Sequence, residues 1–281
     1  MNISPSLLWC RLDLRLADNP ALQAAIQRGG AVIPVFIHAP EEEAPWQPGG
    51  ASRWWLHQSL AAFDADLRAA GSDLVIRQGP SLATLRHLVK ETGAGAVFWN
   101  RRYEPAVIQR DQHIKETLRA TGVEVESFNG ALLHEPWTVQ NQSGKPFQVF
   151  TAFWRHCLTK PPPDEPPSAP RRIPTPRERP ESLSLDTLKL EPKSSWAQGI
   201  RAAWQPGAAS AQAQLKRFLR EAVSNYSEDR NRPDRVGTSR LSPHLHFGEI
   251  TPRQIWHAVR RHAEASQIPE TRMQGRFATA A

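Results

Sequence analysis

Cysteine is scarce in this chain: Cys10 and Cys157 are the only two in 281 residues, and no CxxC pair or Cys/His cluster accompanies them. That excludes a disulfide framework and a structural zinc site, and it suits a reducing cytoplasm. Long apolar runs are missing as well. The opening MNISPSLLWCRLDLRL meets an arginine after a short apolar stretch, and nowhere do about 18 apolar residues follow one another. Neither a signal peptide nor a membrane span is expected. The first βα turn contains no GxGxxG and no Walker loop, which counts against a generic nucleotide-binding α/β protein. His244 and His246 lie two apart with no third ligand at suitable spacing, so no metal site is expected.

What the chain does have is charge, unevenly placed. The formal net charge is +7, and residues 1–160 hold 16 Lys and Arg against 15 Asp and Glu, while residues 161–281 hold 19 against 13. A basic second half can attract nucleic acid by neutralising phosphates, or it can serve only to keep the surface solvated.

The first 135 residues alternate short β-rich runs with segments of helical period, the pattern of a parallel sheet covered on both faces. Strands are expected at Leu7–Cys10, Ala31–Ile37, Leu74–Arg77, Ala96–Trp99 and Val123–Phe128. Helices are expected at Pro20–Arg28, Arg53–Ala70, Leu82–Thr92 and Ala106–Ala120. Asn19-Pro20 reads as an N-cap followed by a first-turn proline, and Gly29, Gly71, Gly93 and Gly122 stand where helices should stop. In the long second helix Leu56, Leu60, Phe63 and Leu67 form one apolar stripe, preceded by Trp54 and Trp55, whose default reading is core or domain contact. Between Lys160 and Pro192 fall 10 of the 25 prolines. No regular helix or interior strand survives that density, so this stretch is expected to run extended over the surface. Helical composition resumes at Ala208–Val223, with Leu215, Phe218, Leu219 and Ala222 on its apolar face. The expected organisation is an α/β domain over 1–135, a connector over 136–195 and a helical region over 196–281.

The run from Tyr226 to Arg253 carries the chemistry. Gly237 permits close backbone approach. Thr238, Ser239 and Ser242 bring hydroxyl donors, and Arg240 brings a planar cationic fork. Ser242-Pro243 reads as a second cap, which would gather these donors at a helix N-terminus, a common way to hold phosphate. The same residues also fit an ordinary turn and cap. Thr251-Pro252 repeats the cap signal without the hydroxyl cluster. Near the chain start, Arg11, Asp13 and Arg15 read as structural charges pairing with neighbours at a strand end.

The string GTSRLSPHLHFGEITPRQIW resembles the flavin-phosphate loop of the DNA photolyase and cryptochrome family, and the opening LLWCRLDLRLADNPAL resembles that family's first strand and helix. The resemblance spans residues 5–268. It implies a five-stranded Rossmann-like parallel sheet with helices on both faces, then a linker and the first helices of an all-α FAD-binding domain. It further implies FAD contacts at Tyr226, Thr238, Ser239, Arg240, Leu241 and Ser242, and a DNA-backbone contact at Arg230. For Tyr103 and Glu104, after the fourth strand, it implies contact with a 5,10-methenyltetrahydrofolate antenna, where a buried carboxylate would accept from the pterin; a helix-capping glutamate is the alternative. The implied activity is light-driven repair of cyclobutane pyrimidine dimers in UV-damaged DNA by a cytoplasmic monomer. A blue-light photoreceptor or an inactive antenna-binding remnant are the alternatives. Family members continue well beyond this length, and MQGRFATAA lacks the tryptophan-rich helix that would come next. The chain therefore reads as a C-terminally truncated N-terminal portion, with no catalytic residue of its own.

Overall fold

A computed structural model describes residues 3–266; the closing MQGRFATAA lies outside the described residues. Five strands, β1 (Ser6–Cys10), β2 (Val32–His38), β3 (Val75–Gln78), β4 (Ala96–Asn100) and β5 (Glu124–Phe128), form one sheet in the order β3-β2-β1-β4-β5, every pair parallel. Four helices cover it: α1 (Pro20–Arg28), α2 (Gly50–Ala69), α3 (Ser81–Thr92) and α4 (Pro105–Ala120).

The two-residue period of a strand sends neighbours to opposite faces, and the two cores follow from it. Leu8, Cys10, Phe36, Ile76 and Phe98 pack against Leu22 and Ala25 of α1 and the Leu56, Leu60, Phe63 and Leu67 stripe of α2. Leu7, Trp9, Val35, Val75, Val97 and Trp99 pack against Leu85 and Leu88 of α3 and Ile114 and Leu118 of α4. With both faces covered, the central strands β1 and β4 are buried at every residue. Each fully buried Leu or Phe of the α2 stripe contributes about 1.5–3 kcal/mol. Burial also pushes the Cys10 thiol well above its ordinary range.

The sheet and its helices match the sequence reading to within three residues at every end, and α1 matches at both of its ends. Asn19 caps α1, accepting from the Leu22 N–H at 3.1 Å, and Gly93 closes α3 in the left-handed region at φ 63°. The proline-rich stretch is extended, as expected, but it is pinned down. Asp18 N–H donates to Pro167 O at 2.8 Å, Val32 N–H to Pro174 O at 2.7 Å, and Ile173 N–H to Ala70 O at 2.9 Å. Ile173, Leu188 and Leu190 bury their side chains in the α1/α2 core.

The helices that follow are α5 (Phe150–Leu158), α6 (Gln198–Ala203), α7 (Ala208–Glu221), α8 (Tyr226–Asp229), α9 (Ser242–His246) and α10 (Pro252–Ala265). Helix α5 falls where the sequence reading expected only connector. It has no side-chain cap to announce it and none of its residues is buried. Ala211, Leu215, Leu241 and Ile250 form a separate small core that joins α7 to the segments around α9 and α10.

Candidate functional site

Two side-chain networks and one open loop stand out. In the first network, chain order reverses between β1 and β4, and there an open α/β sheet usually offers its binding crevice. Here the crevice is filled from within. Asn100 donates to Asp13 at 2.6 Å and to Asn19 at 2.8 Å, while Arg11 spans from Asp111 to the carbonyl of Asn100. Arg11 and Asp13 are thus structural, as expected. So is Arg15, almost fully buried and donating to the carbonyls of Asp18 (2.8 Å), Gly130 (2.6 Å) and Gly248 (2.8 Å). Burial lowers its pKa to about 10, against the pull of Asp13 and Asp18, so it stays cationic at neutral pH.

Tyr103 and Glu104 sit on the rim beyond that sealed crevice. The Tyr103 hydroxyl donates to Glu135 at 2.9 Å. Glu104 differs from its expected setting: it is exposed rather than buried. It occupies the N-cap position of α4 without a side-chain capping bond, and instead Arg102 grips it at 2.7 Å while also pairing with Glu43. Burial opposes ionisation of Glu104, and the Arg102 contacts outweigh it, leaving the carboxyl below its ordinary range.

The open loop is 230–242. Tyr226 begins α8 with its ring edge-on to Phe218 at 5.6 Å, and the Arg230 guanidinium stands 6.0 Å over the same ring, half-buried rather than extended from the surface. Gly237 brings the far end of the loop back onto this helix. A Cβ at Gly237 would lie 2.5 Å from the carbonyl oxygen of Asp229, so only glycine lets the far end of the loop come this close to α8. Thr238, Ser239 and Ser242 follow with hydroxyls that bond to no described residue, and Thr238 and Ser242 are exposed. Arg240, at φ 53°, lays its guanidinium over Trp204 at 4.1 Å and donates to Ala203 O at 3.3 Å. Leu241 turns its side chain into the small core, so only its backbone faces the loop. Ser242 is the first residue of α9 rather than its cap; Leu241 holds the cap position with no side-chain bond, and α9 is a single turn. The donors therefore act as a hydroxyl-and-amide cluster, with little help from a helix dipole. This set fits a phosphate-bearing cofactor such as FAD.

The second network was not legible as a unit. Glu249, fully buried, accepts from Trp55 Nε1 at 3.1 Å and from Ser59, and meets Nδ1 of His244. Trp55 also stacks on Phe247 (5.9 Å) and meets Trp204 edge-on (5.6 Å). Asp18 accepts from Thr251 at 2.5 Å and pairs with Arg253. The stretch HFGEITPR, beside the flavin-like loop, is thus the joint that fastens the helical region to the α/β domain. One signal existed: a single glutamate inside the apolar run Phe247–Ile250, which burial obliges to find donors. Among the described residues no cluster could hold a metal ion, and no helix is long and apolar enough to cross a membrane.

The family description "DNA photolyase" matches residues 6–171. A class III photolyase from Agrobacterium tumefaciens, of known crystal structure, superposes with TM-score 0.90 at 41% identity over 99% of this chain and 57% of its own. Cryptochrome-1 of Arabidopsis thaliana is 42% identical over 259 residues, 91% of this chain and 38% of that one. A 31.6 kDa Synechococcus protein is 33% identical over 95% of this chain and 93% of its own length. The chain spans little more than half the length of the photolyase that it matches.

Proposed function

The chain belongs to the DNA photolyase family, and from that premise we propose that it forms the antenna domain and flavin-phosphate loop of a FAD-dependent photolyase that repairs cyclobutane pyrimidine dimers. The observation that carries this reading is the loop of Thr238, Ser239 and Ser242, three hydroxyls that bond to no described residue, brought back onto α8 at Asp229 by Gly237. With the backbone of Leu241 and the cation of Arg240, they would hold the cofactor's phosphates by charge-assisted hydrogen bonds. FAD, when bound, supplies the light-driven electron that splits the dimer. The lesion must be flipped from the duplex to reach it, and Arg230 would meet the DNA backbone beside Tyr226. Tyr103 and Glu104 would contact a 5,10-methenyltetrahydrofolate antenna on the rim, the pterin taking the place of Arg102 on Glu104. In this reading residues 1–135 are the antenna domain, 136–195 the connector and 196–281 the start of the FAD domain, in a cytoplasmic monomer.

The test is a FAD titration of the purified chain by fluorescence anisotropy, wild type against Ser239→Ala/Ser242→Ala. Loss of two such hydrogen bonds, about 1.4 kcal/mol each, weakens affinity about a hundredfold, and equal affinities would sink the reading. Alone, the chain is expected to hold FAD weakly and to leave dimers unrepaired in light. A photoreceptor role is the second reading, favoured by the 42% identity to a plant cryptochrome. Light-dependent dimer loss in the presence of the remaining photolyase length separates the two.

A further inference from the structure

A cavity of about 350 Å³ lies where three parts of the chain meet: the end of α2, the proline-rich stretch and the first turns of α7. That volume falls in the range of small-molecule sites. The cavity stays open because its walls are short. Ala69 and Ala70 of α2, Ala169 and Pro170 of the stretch, and Ala208 and Ala209 of α7 face it, and none has a side chain long enough to fill it. Two lining residues, Arg15 and Glu249, are almost fully buried, and their hydrogen bonds are already made. Arg15 donates to the carbonyls of Asp18, Gly130 and Gly248, while Glu249 serves Trp55, Ser59 and His244.

Asp66 and Arg171 differ from that pair. Both line the cavity, and neither side chain bonds or pairs with any described residue. Asp66 is half-buried, and burial alone pushes its carboxyl above the ordinary range, with no cation, Arg171 included, drawing it down. Arg171 is exposed. Two opposite charges thus share one cavity without compensating each other. A partly desolvated carboxylate with no partner costs folding free energy, and in a cleft such a group is a candidate for ligand contact. A neutral guest would answer neither charge, and a simple anion or cation only one. A molecule with a cation at one end, an apolar middle against the alanine walls and an anion at the other end answers both. Gln212 and Nε2 of Gln254, whose Oε1 serves the α10 cap, add amide donors to the lining.

We propose that this cavity binds a small zwitterion, an amino-carboxylate whose charges are separated by an apolar chain, with the ammonium on Asp66 and the carboxylate on Arg171. None of the lining residues belongs to the flavin-like loop or to the Tyr103 rim, so the site stands independently of the repair function. The guest touches α2, the proline-rich stretch and α7 together, and binding only the folded chain it stabilises that state.

Aminohexanoate is titrated into the purified full chain by ligand-observed NMR, with hexylamine and hexanoate as single-charge controls, and urea denaturation is run at saturating probe. The expected result is saturable aminohexanoate binding, at least tenfold tighter than either control, with a raised urea midpoint. Asp66→Asn should lower the affinity for aminohexanoate to that of the wild type for hexanoate, and Arg171→Gln to that for hexylamine. Neither substitution removes an internal bond, so without probe both variants should be at least as stable as the wild type. Absence of saturable binding, a control that binds as tightly as aminohexanoate, indifference to either substitution, or a loss of stability in Asp66→Asn, which would reveal an internal partner for the carboxylate, would each overturn the proposal.

Discussion

Tyr103 gives the residue-scale structure a direct optical readout. Burial and its hydrogen bond to Glu135 raise the phenol to about 12, with Arg101 pulling the other way. An unfolded tyrosine ionises near 10, so the folded state favours the protonated ring. The stability this contributes is complete below about pH 10. It declines as the unfolded chain releases its proton first, and it is gone once the pH passes about 12. Only Tyr103 and Tyr226 are present, so tyrosinate absorbance can resolve the late step, and Tyr103→Phe should remove it. Persistence of that step in the variant would place the raised phenol elsewhere. Gly237 offers a second test at this scale. In Gly237→Ala the new methyl would overlap the backbone of Asp229, and overpacking of this kind costs about 1–3 kcal/mol. Because the strain sits where the loop meets Asp229 at the end of α8, one residue before Thr238, flavin affinity should fall with stability. Unchanged FAD binding would show that the loop opens without consequence.

Among the elements, Thr251 is the informative cap. Its hydroxyl accepts from the Gln254 N–H at 3.0 Å, completing a capping box on α10, and it also donates to Asp18. Thr251→Ala should cost about 1–2 kcal/mol through the lost cap, and Thr251→Ser should restore most of it, both read by urea denaturation. Equal stability of the two variants would show that the hydroxyl is idle. This cap and that of α1 were legible in sequence because Asn19-Pro20 and Thr251-Pro252 combine a side-chain acceptor with a proline that needs no hydrogen-bond partner. The sheet was legible because runs such as Ala96–Trp99 are apolar on both faces, as only a doubly covered strand can be. Ser242-Pro243 misled by carrying the same letters: Leu241 is committed to the small core, and that anchoring shifts the helix start by one residue. Helix α5 left no signal, since it has no side-chain cap and fully buries none of its residues. The hydroxyl loop was readable from its composition, whereas the Arg240–Trp204 stacking joins residues 36 apart and follows from tertiary packing alone.

At the scale of the whole molecule the decisive feature is how the α/β domain and the helical region are joined. The joint is polar and buried. Glu249 serves Trp55, Ser59 and His244, Asp18 holds Thr251 and Arg253, and Arg15 reaches the Gly248 carbonyl. At Gly248, φ 64°, a Cβ would lie 2.6 Å from Asp13 Cα, so the two backbones meet almost directly. Such a joint transmits unfolding from one region to the other, and the wild-type chain should unfold in urea with tryptophan fluorescence and far-UV circular dichroism changing together. Glu249→Ala strands three donors in the interior, each costing about 1–3 kcal/mol, and should separate the two signals, the helical region letting go first. Glu249→Gln keeps one acceptor oxygen and should fall between. The flavin-like loop lies seven residues from this glutamate at its nearest point, Ser242, so the alanine variant should lose FAD at urea concentrations where the sheet is intact. If the two signals stay coincident in Glu249→Ala, then the joint is held by the Trp55–Phe247 stacking and the pinned proline-rich stretch, and the buried carboxylate serves orientation alone.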